Sequence, residues 1–261
     1  MELKNNTVLI TGGTSGIGLE LATRLQQLGN TVIVTGRDPA KLDQTQKNLP
    51  GIHTLQSDVS DPKAIQRLYH QVATQFPGLN FLINNAGEMR KLDLHDPKLD
   101  VYDITREIEI NLSGPIRMIQ QFLPLLKSKM NAAILNVTSG IALVPFPLSP
   151  IYSATKSGLR AYTRTLRVQL KKDHIRIFEL VAPGANTPLN EKFVNDMDQR
   201  MLMDPRKLVE QTLHGLQKDK LEILPGIAKV IRLMSRLAPG LIFGQMSKIA
   251  EKSLAKGNPY I

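Results

Sequence analysis

The chain of 261 residues contains no cysteine and no tryptophan, and aromatic side chains make up only 5% of it. Without cysteine there is no disulfide framework, thiolate metal site, iron–sulfur cluster or cysteine nucleophile, a usage that fits a reducing compartment. No apolar run approaches the ~18 residues that a bilayer span needs. The opening Met1–Asn6 leads straight into the strand-like Thr7–Thr11, without the apolar core and small-residue cleavage site of a signal peptide. The expected location is the cytoplasm. Concentrated charge is also missing. The 33 basic and 23 acidic residues give a formal charge of +10, but no basic run is longer than a pair such as Lys171-Lys172. Scattered charge with few aromatics argues against a nucleic-acid partner, which requires clustering. The histidines His53, His70, His95, His174 and His214 show no ligand-pair spacing, so no metal site is expected. The absence of a Gly-x-Ser-x-Gly elbow argues against a serine hydrolase.

What the chain does have is alternation. Short apolar runs at Thr7–Thr11, Thr31–Thr35, Ile52–Leu55, Phe81–Asn84, Ala133–Val137, Arg176–Val181 and Leu221–Leu224 read as strands. Several are continuously apolar, as in a parallel sheet covered on both faces. Helix-length amphipathic stretches separate them, at Gly16–Leu28, Ala40–Asn48, Pro62–Gln75, Tyr102–Lys129, Tyr152–Lys172 and Pro205–Gln217. The alternation predicts a single α/β domain with a doubly wound parallel sheet and helices on both faces. Pro115 and Pro124 are expected to kink or interrupt the Tyr102–Lys129 helix. Asp61-Pro62 reads as a helix cap followed by proline at the first helical position.

The first chemical signal is Thr11-Gly-Gly-Thr-Ser-Gly-Ile-Gly18, after a strand and opening a helix. A turn of this kind brings backbone N–H groups and a helix N-terminus to a pyrophosphate. Gly12, Thr14, Ser15, Gly16, Ile17 and Gly18 are thus candidate cofactor contacts, although the run also fits a plain turn. At the tip of the second strand stands Gly36-Arg37-Asp38. In dinucleotide folds an arginine here pairs with a 2′-phosphate and a carboxylate accepts from a free 2′-hydroxyl. Arg37 favours NADP over the alternative, NAD, and Asp38 before Pro39 also fits a helix cap. Asp58-Val59 after the third strand is placed to meet adenine, and Asn84-Asn85-Ala86-Gly87 ends the fourth with small residues. Either segment also fits ordinary strand-end turns. Tyr152-Ser-Ala-Thr-Lys156 sets a phenol and an ammonium on one helix face, where the ammonium is expected to lower the phenol's pKa. Ser139 ends the strand thirteen residues upstream, at the sheet edge where α/β folds bind ligands.

Together, Thr11-Gly-x-x-x-Gly-x-Gly18, Asn84-Asn-Ala-Gly87, Asn111, Ser139, Tyr152-x-x-x-Lys156 and Pro183-Gly184 resemble the short-chain dehydrogenase/reductase family, over residues 5 to about 190. The spacing resembles its compact dehydrogenase branch. The whole chain is also similar to bacterial members encoded with teichoic-acid D-alanylation genes, a likeness that carries no substrate. The resemblance implies a Rossmann-like fold and hydride transfer between NADP(H) and a small carbonyl or alcohol compound. It implies that Tyr152 exchanges the proton, that Lys156 lowers the tyrosine pKa and holds the nicotinamide ribose, and that Ser139 orients the carbonyl. Asn111 would hold a water leading from Lys156 to solvent, and Pro183, Gly184 and Thr187 would flank the nicotinamide. It also implies a homodimer or homotetramer built on the two long helices. Some NADP-preferring members carry a basic residue where this chain has Ser15, which leaves Arg37 as the expected 2′-phosphate partner.

Two segments lie beyond those motifs. Residues 184–217 are expected to form a lid over the substrate, with Met201 and Met203 either lining an apolar pocket or filling space, and Pro145–Leu148 are expected to add apolar walls. Residues 225–261 read as a basic amphipathic tail. Ile227, Val230, Ile231, Met234 and Leu237 follow helical spacing, and between Pro225 and Gly257 six basic residues accompany one acid, Glu251. Such a tail packs on its own domain or a partner subunit, or else makes peripheral contact with an anionic membrane. In the membrane or protein-contact case the nucleotide would serve a binding module rather than an enzyme.

Overall fold

The computed structural model describes residues 1–257 apart from 194, 197 and 198. Those three positions of the expected lid, and 258–261 of the expected tail, therefore lie outside the described residues. Seven parallel strands form one sheet: β1 (Thr7–Thr11), β2 (Thr31–Gly36), β3 (His53–Gln56), β4 (Leu79–Asn84), β5 (Ala132–Ser139), β6 (Ile175–Ala182) and β7 (Glu222–Ile223), in spatial order 3-2-1-4-5-6-7. The chain winds outward from β1 in one direction and then, from β4, in the other. The carboxyl ends of β1 and β4 thus flank the crevice where doubly wound sheets take ligands.

Strand alternation splits the core into two layers. Val8, Ile10, Val32, Val34, Phe81 and Ile83 point to one face, covered by α1 (Gly16–Gln27), α2 (Pro39–Asn48) and α7 (Pro205–Gln217). Leu9, Ile33, Leu82 and Ile134 point to the other, covered by α3 (Pro62–Gln75), α5 (Gly114–Lys127) and α6 (Pro150–Gln169). The near-continuous apolar strands follow from this two-sided burial. β5 and β6 pair over their full length, from Ala132 opposite Ile175 to Ser139 opposite Ala182, which carries Ser139 to the carboxyl edge. Asp38, Asp61 and Asp204 each cap a helix that begins with proline, α2, α3 and α7 respectively.

The stretch expected as one helix from Tyr102 to Lys129 departs from that reading. It comprises a single turn, α4 (Arg106–Ile108), a π-helical turn (Glu109–Ser113) and then α5. Pro115 cannot donate to the carbonyl four residues back, and its ring would collide with that carbonyl. The wider π turn accommodates it and leaves Asn111, fully buried, at the centre of the turn. Pro124 lies inside α5 without ending it.

The tail folds as α8 (Ala228–Leu237) and α9 (Pro239–Gly257), parted by Ala238. One side of it packs on the domain. Ala228 and Ala250 are buried, and a third apolar cluster joins Ala250, Met246 and Ile249 to Met89, Phe146, Tyr152 and Phe193. No helix among the described residues is long and apolar enough to cross a membrane.

Candidate active site

A cavity of about 1140 Å³ lies along the carboxyl edge of the sheet, larger than the ~300–1,000 Å³ typical of a single small-ligand pocket. It is lined at one end by the glycine turn and at the other by the tail, with Tyr152 and Lys156 between them.

At the first end, backbone shape decides what fits. Gly12 has φ of +64°, and a Cβ there would lie 2.8 Å from Ala86 Cα. A Cβ on Gly18 would lie 2.3 Å from the Gly12 carbonyl oxygen, so α1 meets β1 closely only because no side chain intervenes. Asn85 fixes the turn from the neighbouring strand end. Its amide donates to the carbonyls of Thr11 and Gly12, both at 3.0 Å, while the N–H groups of Asn85 and Ala86 donate to the Thr11 hydroxyl. Ser15 makes no side-chain cap to α1, whose first turn holds no acidic residue. The helix thus presents first-turn N–H groups toward the cavity with no carboxylate competing for them, a cradle that suits a pyrophosphate. Thr14, Ser15, Gly16 and Ile17 line this end.

At the tip of β2, Arg37 lines the cavity and makes no ion pair among the described residues. Asp38 Oδ1 accepts from the N–H groups of Ala40 and Lys41 at 3.0 and 3.3 Å, so its charge is committed to the α2 N-terminus. Asp58 Oδ1 accepts from the N–H and hydroxyl of Ser60. With Val59 it borders the cavity, as do Ala86 and Gly87.

The phenol and the ammonium come together as their spacing predicts. Tyr152 and Lys156 are both buried on α6, with Lys156 Nζ 5.6 Å from the centre of the Tyr152 ring. Lys156 Nζ donates to the Val137 carbonyl at 2.9 Å. Ser139 Oγ accepts from the Ile141 N–H at 3.3 Å and lines the cavity together with Tyr152. The expected lowering of the tyrosine pKa does not appear. Burial pushes the Tyr152 phenol upward, the neighbouring Ser139 hydroxyl opposes this, and the Glu107 charge adds to it. Burial likewise pushes Lys156 down to about 8. Apolar surroundings penalise phenolate and ammonium alike.

Asn111 is tied to the strand-end backbone beside it. Its Oδ1 accepts from the Glu88 N–H at 2.9 Å and its Nδ2 donates to the Glu88 carbonyl at 2.7 Å and the Thr155 hydroxyl at 3.3 Å. It therefore clamps the Gly87–Glu88 segment beside Lys156. Pro183, Gly184 and Thr187 line the cavity beyond β6. Their loop is pinned to the opposite strand of chain, with Met203 N–H donating to the Gly184 carbonyl and Asn186 N–H to that of Met203. Met201 lines the cavity, whereas Met203 packs on the core and beneath Gly226.

Some lining residues escaped sequence reading. Lys41 and Ser57 border the nucleotide end, and Ile231, Met246 and Ile249 the far end. The far group had a signal, the apolar spacing of the tail, but nothing in the sequence says what that face meets. Gly13 is also required, since a Cβ there would lie 2.6 Å from the Val34 side chain.

Comparison with known proteins accords with this arrangement. The family model described as short chain dehydrogenase matches residues 6–198. The oxidoreductase DltE of Bacillus subtilis is 38% identical over 251 residues, covering 95% of this chain and 98% of the relative. The NADPH-dependent 1-acyldihydroxyacetone phosphate reductase of Schizosaccharomyces pombe is 31% identical over 220 residues, covering 81% and 72%. A short chain dehydrogenase from Burkholderia cenocepacia, solved in complex with NADP, superimposes with a TM-score of 0.82 at 23% identity, covering 94% and 99%. The fold and site define an oxidoreductase of the Rossmann type. The chain belongs to the short-chain dehydrogenase family.

Proposed function

We propose that this oxidoreductase transfers hydride between NADP(H) and a carbonyl carried on a largely apolar molecule, with Tyr152 as the proton-transferring catalytic residue. The observation that carries the reading is the Tyr152–Lys156 pair, buried side by side midway along a cavity whose other end is a glycine cradle. When bound, the nicotinamide supplies or accepts the hydride. Tyr152, kept neutral by burial, is in the form that donates its proton to a carbonyl oxygen, and Ser139 beside it orients that oxygen. Lys156 holds positive charge next to the phenol as the proton leaves, and Asn111 keeps the Gly87–Glu88 backbone in place behind both. Gly12 to Gly18 would hold the pyrophosphate, Asp58, Val59 and Asn85 to Gly87 the adenine side, and Pro183, Gly184 and Thr187 the nicotinamide.

Arg37 supports NADP over NAD, and the cap on α2 engages one oxygen of Asp38, the carboxylate that would favour NAD. Phe146, Met201, Ile231 and Met246 support an apolar substrate. Residues 184–217 act as the substrate lid, with Asp196 accepting from Lys91 and from the Ser253 hydroxyl of α9. The protein acts in the cytoplasm as a homodimer or homotetramer joined through α5 and α6. A reading as a nucleotide-binding module without chemistry is disfavoured because Ser139, Tyr152 and Lys156 line one cavity and Asn111 holds the backbone beside Lys156.

The test is NADPH consumption across a panel of ketones and aldehydes of increasing chain length. Turnover is expected to favour the longer chains, and Tyr152→Phe is expected to bind NADPH normally while losing turnover by about a hundredfold or more. Retained turnover in that variant would overturn the proton role.

A further inference from the structure

We propose that the outer face of α8 and α9 docks on an anionic lipid bilayer, and that the carbonyl substrate enters the cavity from that face; the second part rests on the reductase reading above. The two sides of α8 differ in kind. Its inner side is anchored: Ala228 is buried, Ile231 and Met234 line the cavity, and Arg232 pairs with Glu222 of β7, which also pairs with Arg160 of α6. Its outer side carries Val230, Leu233 and Leu237 at helical spacing, all exposed, Leu237 by 72%. Of thirteen exposed large apolar side chains among the described residues, six fall between Ile227 and Phe243. Single exposed apolar residues are ordinary, but a contiguous patch marks a contact surface.

Charge selects the kind of contact. Lys229 and Arg236 lie one helical turn before and after Leu233, and both are exposed. On α9 the exposed Leu241 shares its face with exposed Lys248 and Lys252, seven and eleven residues on. No ion pair engages these four cations among the described residues, and Glu251 is the lone acid of the described tail. Apolar side chains flanked by free cations match the boundary of an anionic bilayer, where each basic residue adds attraction. A second copy of the chain fits less well, since a two-fold contact would set this positive face against itself.

The cavity supplies the third observation. Ile227, Val230 and Leu241 are exposed and also line the cavity, so the apolar surface continues from the patch into the interior. A carbonyl compound with a long apolar chain could pass along that surface from lipid to Tyr152 without its chain crossing water.

The test uses sedimentation of the full chain with vesicles of phosphatidylglycerol and phosphatidylcholine, and with phosphatidylcholine alone. Binding is expected to the anionic vesicles only and to weaken in high salt. Lys229→Glu with Arg236→Glu should lower the bound fraction about tenfold or more, and Leu233→Ser with Leu237→Ser should also release the protein. NADPH binding, followed by nicotinamide fluorescence, should be unchanged in both, which confirms folding and separates this outcome from failure of the reductase reading. Absence of binding to anionic vesicles, or equal binding by the variants, would overturn the proposal. So would a fall in oligomeric mass in the leucine variant without any vesicle binding, which would assign the patch to contact between copies.

Discussion

Tyr152 and Lys156 were legible as a pair because four helical residues bring two side chains to one face, whatever the surroundings. Their protonation was not. The buried environment that inverts the expected tyrosine shift comes from residues far along the chain, such as Met89, Phe193 and Ala250. The same holds for Asn111, whose partner, the Glu88 backbone, is set by where the β4 loop runs. A neutral phenol beside a lysine pushed down to about 8 has a kinetic consequence. The kcat/KM for carbonyl reduction, which reports groups of the free enzyme, should hold steady near neutrality and fall as pH rises through about 8, where Lys156 loses its charge. A profile that stays flat to pH ~10 would remove Lys156 from the proton step.

At the scale of elements, the strands and most helices followed from apolar runs and Asp-Pro starts, since these signals are local. The π turn did not, because its cause is the conflict between Pro115 and a helix that must nonetheless continue across the sheet. The tail was readable as an amphipathic pattern, but its inner partner, the substrate end of the cavity, emerges only with the fold. Asp38 is where element and site reasoning meet. If its role is the α2 cap, Asp38→Ala should cost about 1 kcal/mol in urea unfolding and leave the preference for NADPH over NADH unchanged. A preserved stability with a strong shift in that preference would show that the carboxylate reads the ribose instead.

For the whole molecule, the buried lysine ties stability to pH. Its folded pKa of about 8 lies below the ordinary 10.5. Below 8 both folded and unfolded chains carry the charge and the folded one bears its burial cost. As pH rises from 8 toward 10.5 the folded chain gives up the proton first, and that cost fades by on the order of 3 kcal/mol. Lys156→Met should therefore raise the thermal midpoint relative to the parent at pH 7, with a smaller gain near pH 10. A gain independent of pH would contradict the buried-ammonium account.

The claim on which the rest depends is that the groove from Gly12 to Lys156 is a seat for NADPH, with Arg37 selecting it. Titration of the protein with NADPH and with NADH, followed by nicotinamide fluorescence, addresses this directly. The expected result is saturable binding, tighter for NADPH, with Arg37→Ala weakening NADPH by about tenfold or more and leaving NADH little changed. If neither nucleotide binds, the groove does not hold the cofactor and the proposed chemistry falls; equal loss of both in the variant would contradict the role given to Arg37.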